Sequence, residues 1–131
     1  MNEKYMICEE GFENVIEDGK TTGFSLLTRI PYYRGIPLSL IDDIELRVDG
    51  ELVPRDDLRL TTKAGYAFTM IEMETITKYR WEYGEKARLT VLRPGGLAPG
   101  QHQIDLKVYL RISYFPKNSF SQAIATLNLP A

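Results

Sequence analysis

Gln103-Ile104-Asp105-Leu106-Lys107-Val108-Tyr109-Leu110-Arg111-Ile112-Ser113-Tyr114-Phe115 alternates apolar and polar side chains over most of its length. Ile104, Leu106, Val108, Leu110, Ile112 and Tyr114 occupy one parity, and Asp105, Lys107, Tyr109, Arg111 and Ser113 the other. Successive side chains of an extended chain point to opposite sides, so a period of two predicts one long strand with a single face in the core.

The same period recurs outward from this segment. Ile44, Leu46 and Val48 alternate with Glu45 and Arg47, after which Asp49-Gly50 supplies the positive φ angles of a tight type I′ hairpin and Glu51-Leu52-Val53 returns. Asp18-Gly19 reads as a second hairpin turn, between strands expected at Phe12 to Glu17 and Gly23 to Ile30. Further strands are expected at Tyr5 to Glu9, Leu58 to Thr62, Tyr66 to Met70, Lys86 to Leu92 and Phe120 to Leu129, and Ile71 to Tyr79 has room for a helical turn. Pro94-Gly95-Gly96-Leu97-Ala98-Pro99-Gly100 is a turn-rich connector into the long strand. Short strands at this spacing predict an all-β fold, an antiparallel β-sandwich of roughly eight strands, in one domain over residues 1–131.

Composition narrows the chemistry. The chain has 131 residues, of which 44% are hydrophobic, enough for one core without disulfides but too few for a barrel-sized enzyme. One histidine, His102, and one cysteine, Cys8, exclude His-rich zinc sites, CxxC pairs and internal disulfides. Sixteen Lys and Arg stand against 18 Asp and Glu, for a net charge of -2, which is not the footprint of a nucleic-acid binder. No apolar run reaches the length of a membrane span or a signal-peptide core, so a cytoplasmic protein is expected, with no membrane partner.

Each candidate for catalysis has a plainer reading. His102 beside Gly100 has the position of a general base at a turn, but no GxSxG or other nucleophile motif accompanies it, and a surface histidine is the ordinary alternative. Cys8, between Ile7 and Glu9, reads as a buried small hydrophobe before a thiolate. Glu72, Glu74, Glu82 and Glu85 have the chemistry of paired carboxylates or oxygen ligands, but their spacing is not diagnostic and a solvated run balanced by Lys78, Arg80 and Lys86 is the favoured reading. Gly95-Gly96 lacks the Lys and helix start of a phosphate loop.

Two breaker-rich stretches stand out: Pro31 to Leu38 and Glu72 to Glu85 concentrate aromatic and arginine side chains between strands. Tyr32, Tyr33, Tyr79, Trp81 and Tyr83 suit either stacking on a sugar or anchoring a core or protein interface. Arg34 suits a carboxylate of a partner subunit or the face of a neighbouring ring.

At these residues the chain resembles a known family. Ile30-Pro31-Tyr32-Tyr33-Arg34-Gly35-Ile36-Pro37-Leu38-Ser39, Val48-Asp49-Gly50, Arg80-Trp81-Glu82-Tyr83-Gly84-Glu85, Leu92-Arg93-Pro94-Gly95-Gly96-Leu97 and Arg111-Ile112-Ser113-Tyr114, in this order, are similar to the small β subunit of bacterial C-glycoside deglycosidases, over roughly Gly23 to Pro116. The resemblance implies a two-subunit lyase that breaks the carbon–carbon bond between a 3-oxo sugar and an aromatic aglycone, such as a flavonoid. It implies a TIM-barrel α subunit holding a divalent metal, typically manganese, with the acid/base groups, in a higher-order αβ assembly. The metal would polarise the 3-oxo group while the proton at sugar C2 is removed.

The resemblance assigns no catalytic, cofactor-binding or metal-binding residue to this chain. Tyr32, Tyr33, Arg34, Trp81 and Tyr83 are the candidates for facing the α subunit or its substrate entrance. Two other classes compete: a free-standing carbohydrate-binding sandwich that stacks sugars on the same aromatics, and a purely structural assembly protein.

Overall fold

Asp18 and Gly19 have φ angles of 50° and 76°, and Asp49 and Gly50 of 53° and 85°. Both turns therefore have the two positive φ values of a type I′ hairpin, whose twist matches that of the strands it joins. The computed structural model describes residues 6–30, 32, 34–63, 65–112, 116 and 119–130.

Among these residues lie strands β1 (Glu13–Glu17), β2 (Lys20–Arg29), β3 (Ile36–Pro37), β4 (Ile41–Val48), β5 (Glu51–Leu52), β6 (Leu58–Thr61) and β7 (Ala67–Thr69). A single helical turn, α1 (Met70–Met73), precedes β8 (Arg80–Trp81), β9 (Lys86–Leu92), β10 (Gly100–Leu110) and β11 (Phe120–Leu129). They form a 5-stranded sheet in the order β1-β2-β9-β6-β7, a 4-stranded sheet β11-β10-β4-β5 and a 2-stranded ladder β3-β8. Every pairing is antiparallel.

The expected all-β sandwich is thus observed. Its two large sheets contribute their inner faces to one core, with Phe24, Leu26, Leu58, Leu60 and Leu89 from one side and Ile44, Leu46, Ile104, Leu106 and Val108 from the other. The count exceeds the expected eight; β3 and β8, two residues each, are too short to show a period, whereas β5 is the expected return of the Asp49-Gly50 hairpin.

Two strand boundaries differ from expectation. The long strand starts earlier, at Gly100, and ends at Leu110, not at Phe115. The ladder with β4 shifts register between Tyr109 and Leu110, and the Arg111 amide then bonds the Leu40 carbonyl at 2.7 Å. Ser113, Tyr114 and Phe115 lie outside the described residues. Of the strand expected over Tyr5 to Glu9, Tyr5 lies outside the described residues, and the remainder forms one bridge, Ile7 to Thr28, with hydrogen bonds from the Cys8 amide to Leu27 and from the Arg29 amide to Met6. It continues the edge of β2 beyond the end of β1. The helical turn begins at Met70 and is fixed by a capping box in which Thr69 Oγ1 accepts from the Glu72 amide and Glu72 accepts from the Thr69 amide.

Candidate functional site

The two breaker-rich stretches meet. Ile36 pairs with Trp81 and Pro37 with Arg80, so β3 and β8 fasten segments that lie far apart in sequence into one rim. Hydrogen bonds from the Leu38 amide to Tyr79 (3.1 Å) and the Ser39 amide to Ile76 (2.9 Å) extend the seam. Gly35 packs closely there: a Cβ at this position would displace the Glu82 carboxylate and approach the Glu82 Cα to 3.1 Å.

Beside this seam opens a recess of about 400 Å³ lined by Tyr32, Arg34, Ile36, Leu40, Arg80 and Arg111, among others. Arg80 bridges its surroundings, with Nε 2.9 Å from Glu82 Oε1 and Nη2 3.0 Å from the Gly35 carbonyl. Arg111 reaches Asp42 at 3.2 Å. The Arg34 guanidinium lies 6.0 Å from the centre of the Tyr32 ring, the geometry of a cation over an aromatic face. Among the described lining residues none is acidic, while Glu82 and Asp42 pair with Arg80 and Arg111 at its edge, so the recess presents partly neutralised guanidinium groups over apolar walls.

The sequence candidates separate on this framework. Arg34 is exposed at the recess, and Tyr83 is 57% exposed on the turn after β8. Tyr32 is 2% exposed and forms wall, not platform. Trp81 does not face outward as expected. It is 0% exposed, with its indole N–H donating to the Glu85 carbonyl at 3.0 Å, because pairing with Ile36 turns its large ring into the core. Tyr33 lies outside the described residues. Arg80 and Arg111 were not singled out from the sequence. Both lay within quoted stretches, but only the β3–β8 pairing and the end of β10 bring them to one recess.

The other candidates are committed elsewhere. His102 Nδ1 is 2.6 Å from Asp49 Oδ2 and Nε2 is 2.7 Å from the Ala98 carbonyl. The bond to Ala98 and then the Asp49 carboxylate raise the His102 pKa above its ordinary value. The same contact, with the Gln103 amide, lowers that of Asp49. A carbonyl and a carboxylate both only accept, so the doubly protonated ring satisfies both partners. His102 therefore joins the β4–β5 hairpin to the turn before β10 and satisfies both partners at once when protonated. Cys8 is buried, and burial raises its thiol pKa.

The four glutamates also take structural positions. Glu72 caps α1, Glu74 approaches Arg55 at 3.9 Å, Glu82 pairs with Arg80, and Glu85 accepts from the Lys63 amide at 2.9 Å. Among the described residues, no three His, Cys, Asp or Glu side chains are grouped so as to hold a metal ion. No helix among them is long and apolar enough to cross a membrane.

The fold is a two-layer antiparallel β-sandwich with an arginine-lined recess beside the β3–β8 seam. Comparison with known proteins makes the class particular. Residues 2–114 match the family model described as C-glycoside deglycosidase beta subunit, and the chain belongs to that family. It is similar to a C-glycoside deglycosidase beta subunit of Eubacterium cellulosolvens, 37% identical over 115 residues that make up 87% of this chain and 78% of the relative. A 3'-dehydrocarminate deglycosidase beta subunit of a Microbacterium species is 30% identical over 79% of this chain and 76% of its own length. A C-glycoside deglycosidase beta subunit of Microbacterium trichothecenolyticum is 31% identical over 78% of this chain and 79% of its own length.

Proposed function

We propose that this chain is the accessory β subunit of a heteromeric lyase that cleaves the carbon–carbon bond of 3-oxo-C-glycosides, flavonoid C-glycosides among them, in the cytoplasm. In this reading it packs on a TIM-barrel α subunit through the rim carrying Arg34, Arg80, Tyr83 and Arg111. Family membership carries the proposal, since the relatives' names as beta subunits imply an α partner in a heteromer.

In this reading the manganese and the acid/base groups implied for such enzymes belong to the partner, and no bond-making or bond-breaking step is assigned to this chain. What its residues supply is recognition: arginines fixed by Glu82, Gly35 and Asp42 keep further donors for acceptors on the α subunit or at its substrate entrance. A free-standing sugar-binding module is less well served, because the Trp81 and Tyr32 rings are buried and present no flat stacking face.

Co-expression with a barrel α subunit of such a deglycosidase tests the reading. Native mass spectrometry should find both chains in one complex, and the complex should turn over a 3-oxo-C-glycoside that this chain alone leaves intact. Turnover by the single purified chain, or no complex, would overturn it.

A further inference from the structure

His102 stands near the start of β10 and shares parity with Ile104 and Leu106, so its ring points inward at the end of the sandwich. It meets the buried Phe12 ring edge-on, with centroids 6.0 Å apart. Beside it lies a recess of about 250 Å³ between the β4–β5 hairpin and the connector, lined by Val48, Arg93, Leu97, Ala98 and His102 among others. Two fastenings of different chemistry hold the connector over this recess. At Leu97, the Asn14 carboxamide donates to the carbonyl and accepts from the amide, both at 3.0 Å, and neither partner titrates. At the next residue the Ala98 carbonyl takes its hydrogen bond from the imidazole, which does titrate.

We infer that this second fastening is a proton-operated latch: loss of the imidazolium proton leaves His102 bonded to Asp49 and releases Ala98, freeing residues 98–100 from the recess while Leu97 stays anchored. A neutral imidazole has one N–H and can satisfy only one of its two acceptors. Asp49 is the stronger of them, because a charged acceptor strengthens the bond, and its other oxygen is already fixed by the Gln103 amide at 2.9 Å. The remaining proton therefore stays on Nδ1. The bare Nε2 then faces the Ala98 oxygen, acceptor against acceptor, and that contact is lost. The charges around the ring are Asp49 and Glu51 from the hairpin and Arg93 from the end of β9. The bonds to Ala98 and Asp49 prevail over desolvation and Arg93 in setting the His102 pKa above 6.5, which puts the release on the alkaline side. This inference is independent of the α-subunit reading, since the recess at His102 and the arginine recess share no lining residue.

NMR of the isotopically labelled full chain between pH 6 and pH 9 tests it. The imidazole nitrogens should both be protonated at the acid end, and only Nδ1 at the alkaline end. Across the same titration the backbone order parameters of Ala98 and Gly100 should fall from about 0.85 to below about 0.6, while those of Leu97 and Gln103 stay at the rigid value. His102→Gln, whose carboxamide does not titrate, should show no pH-dependent change at Ala98 or Gly100. A surviving Nε2 proton at alkaline pH, Ala98 as ordered at pH 9 as at pH 6, or the same change in His102→Gln would overturn the inference.

Discussion

The carboxylate of Asp49 and the imidazole of His102 are 2.6 Å apart, although 53 positions separate them in sequence. The ring's other nitrogen is 2.7 Å from the Ala98 carbonyl, so one side chain clasps the hairpin after β4 to the connector before β10. The raised pKa of His102 and the lowered pKa of Asp49 translate into opposite limits on stability. The histidine's contribution is complete below its ordinary value of 6.5 and fades as pH rises through its higher folded value. The aspartate's is complete above 3.8 and fades as pH falls through its lower folded value.

The clasp should therefore be strongest between those ordinary values. Melting curves of wild type should fall between pH 6 and pH 9 by a few degrees more than those of His102→Gln, as the imidazolium loses its proton. Parallel curves for the two proteins would show that the charge contributes nothing.

Trp81→Ala should cost about 3–5 kcal/mol, the range for emptying a large aromatic site in a packed core. Urea unfolding should show the midpoint lowered without a change in slope. Trp81→Phe should recover part of the loss, though the indole bond to Glu85 is gone. A near-neutral alanine would mean that the ring is not packed as described.

Arg34→Ala with Arg111→Ala should leave the melting temperature within a degree or two, since both side chains sit at the surface. Affinity for the α subunit should fall on the order of tenfold or more, as expected for charged anchors at an interface centre. Biosensor titration of the double variant would register the change, and unaltered affinity would remove the recess from the docking surface.

Cys8 should resist alkylation. Burial raises its pKa against the pull of nearby Arg29, and the thiolate is the reactive form. Iodoacetamide labelling of the native chain should proceed at least about tenfold more slowly than in denaturant; equal rates would place the thiol at the surface.

Much of the fold was legible because a sandwich writes a period of two into its strands. The inward face of β10 followed from Ile104, Leu106 and Val108, and both hairpins from their Asp-Gly pairs. Strands β3 and β8 were not legible, since two residues such as Ile36-Pro37 carry no period and no hairpin turn marks them. That gap explains the reversed expectation for Trp81. Aromatics in a breaker-rich stretch suggest a surface anchor, and only the pairing with Ile36 reveals that the ring points inward. The recess stayed hidden for the same reason, as Arg34, Arg80 and Arg111 come from three segments whose convergence is a matter of tertiary geometry.

The ladder that joins Ile36 to Trp81 also sets how this rim can change over time. A two-residue pairing has no spare rung, and slipping it by one position would expose Trp81 and bury Arg80. Gain or loss of a residue in either loop near the seam is thus penalised, while replacement of the outward side chains is not. New partner specificity should arise here by exchange of Arg34, Arg80 or Tyr83 on loops of constant length, as teeth are recut on a key whose blank stays the same.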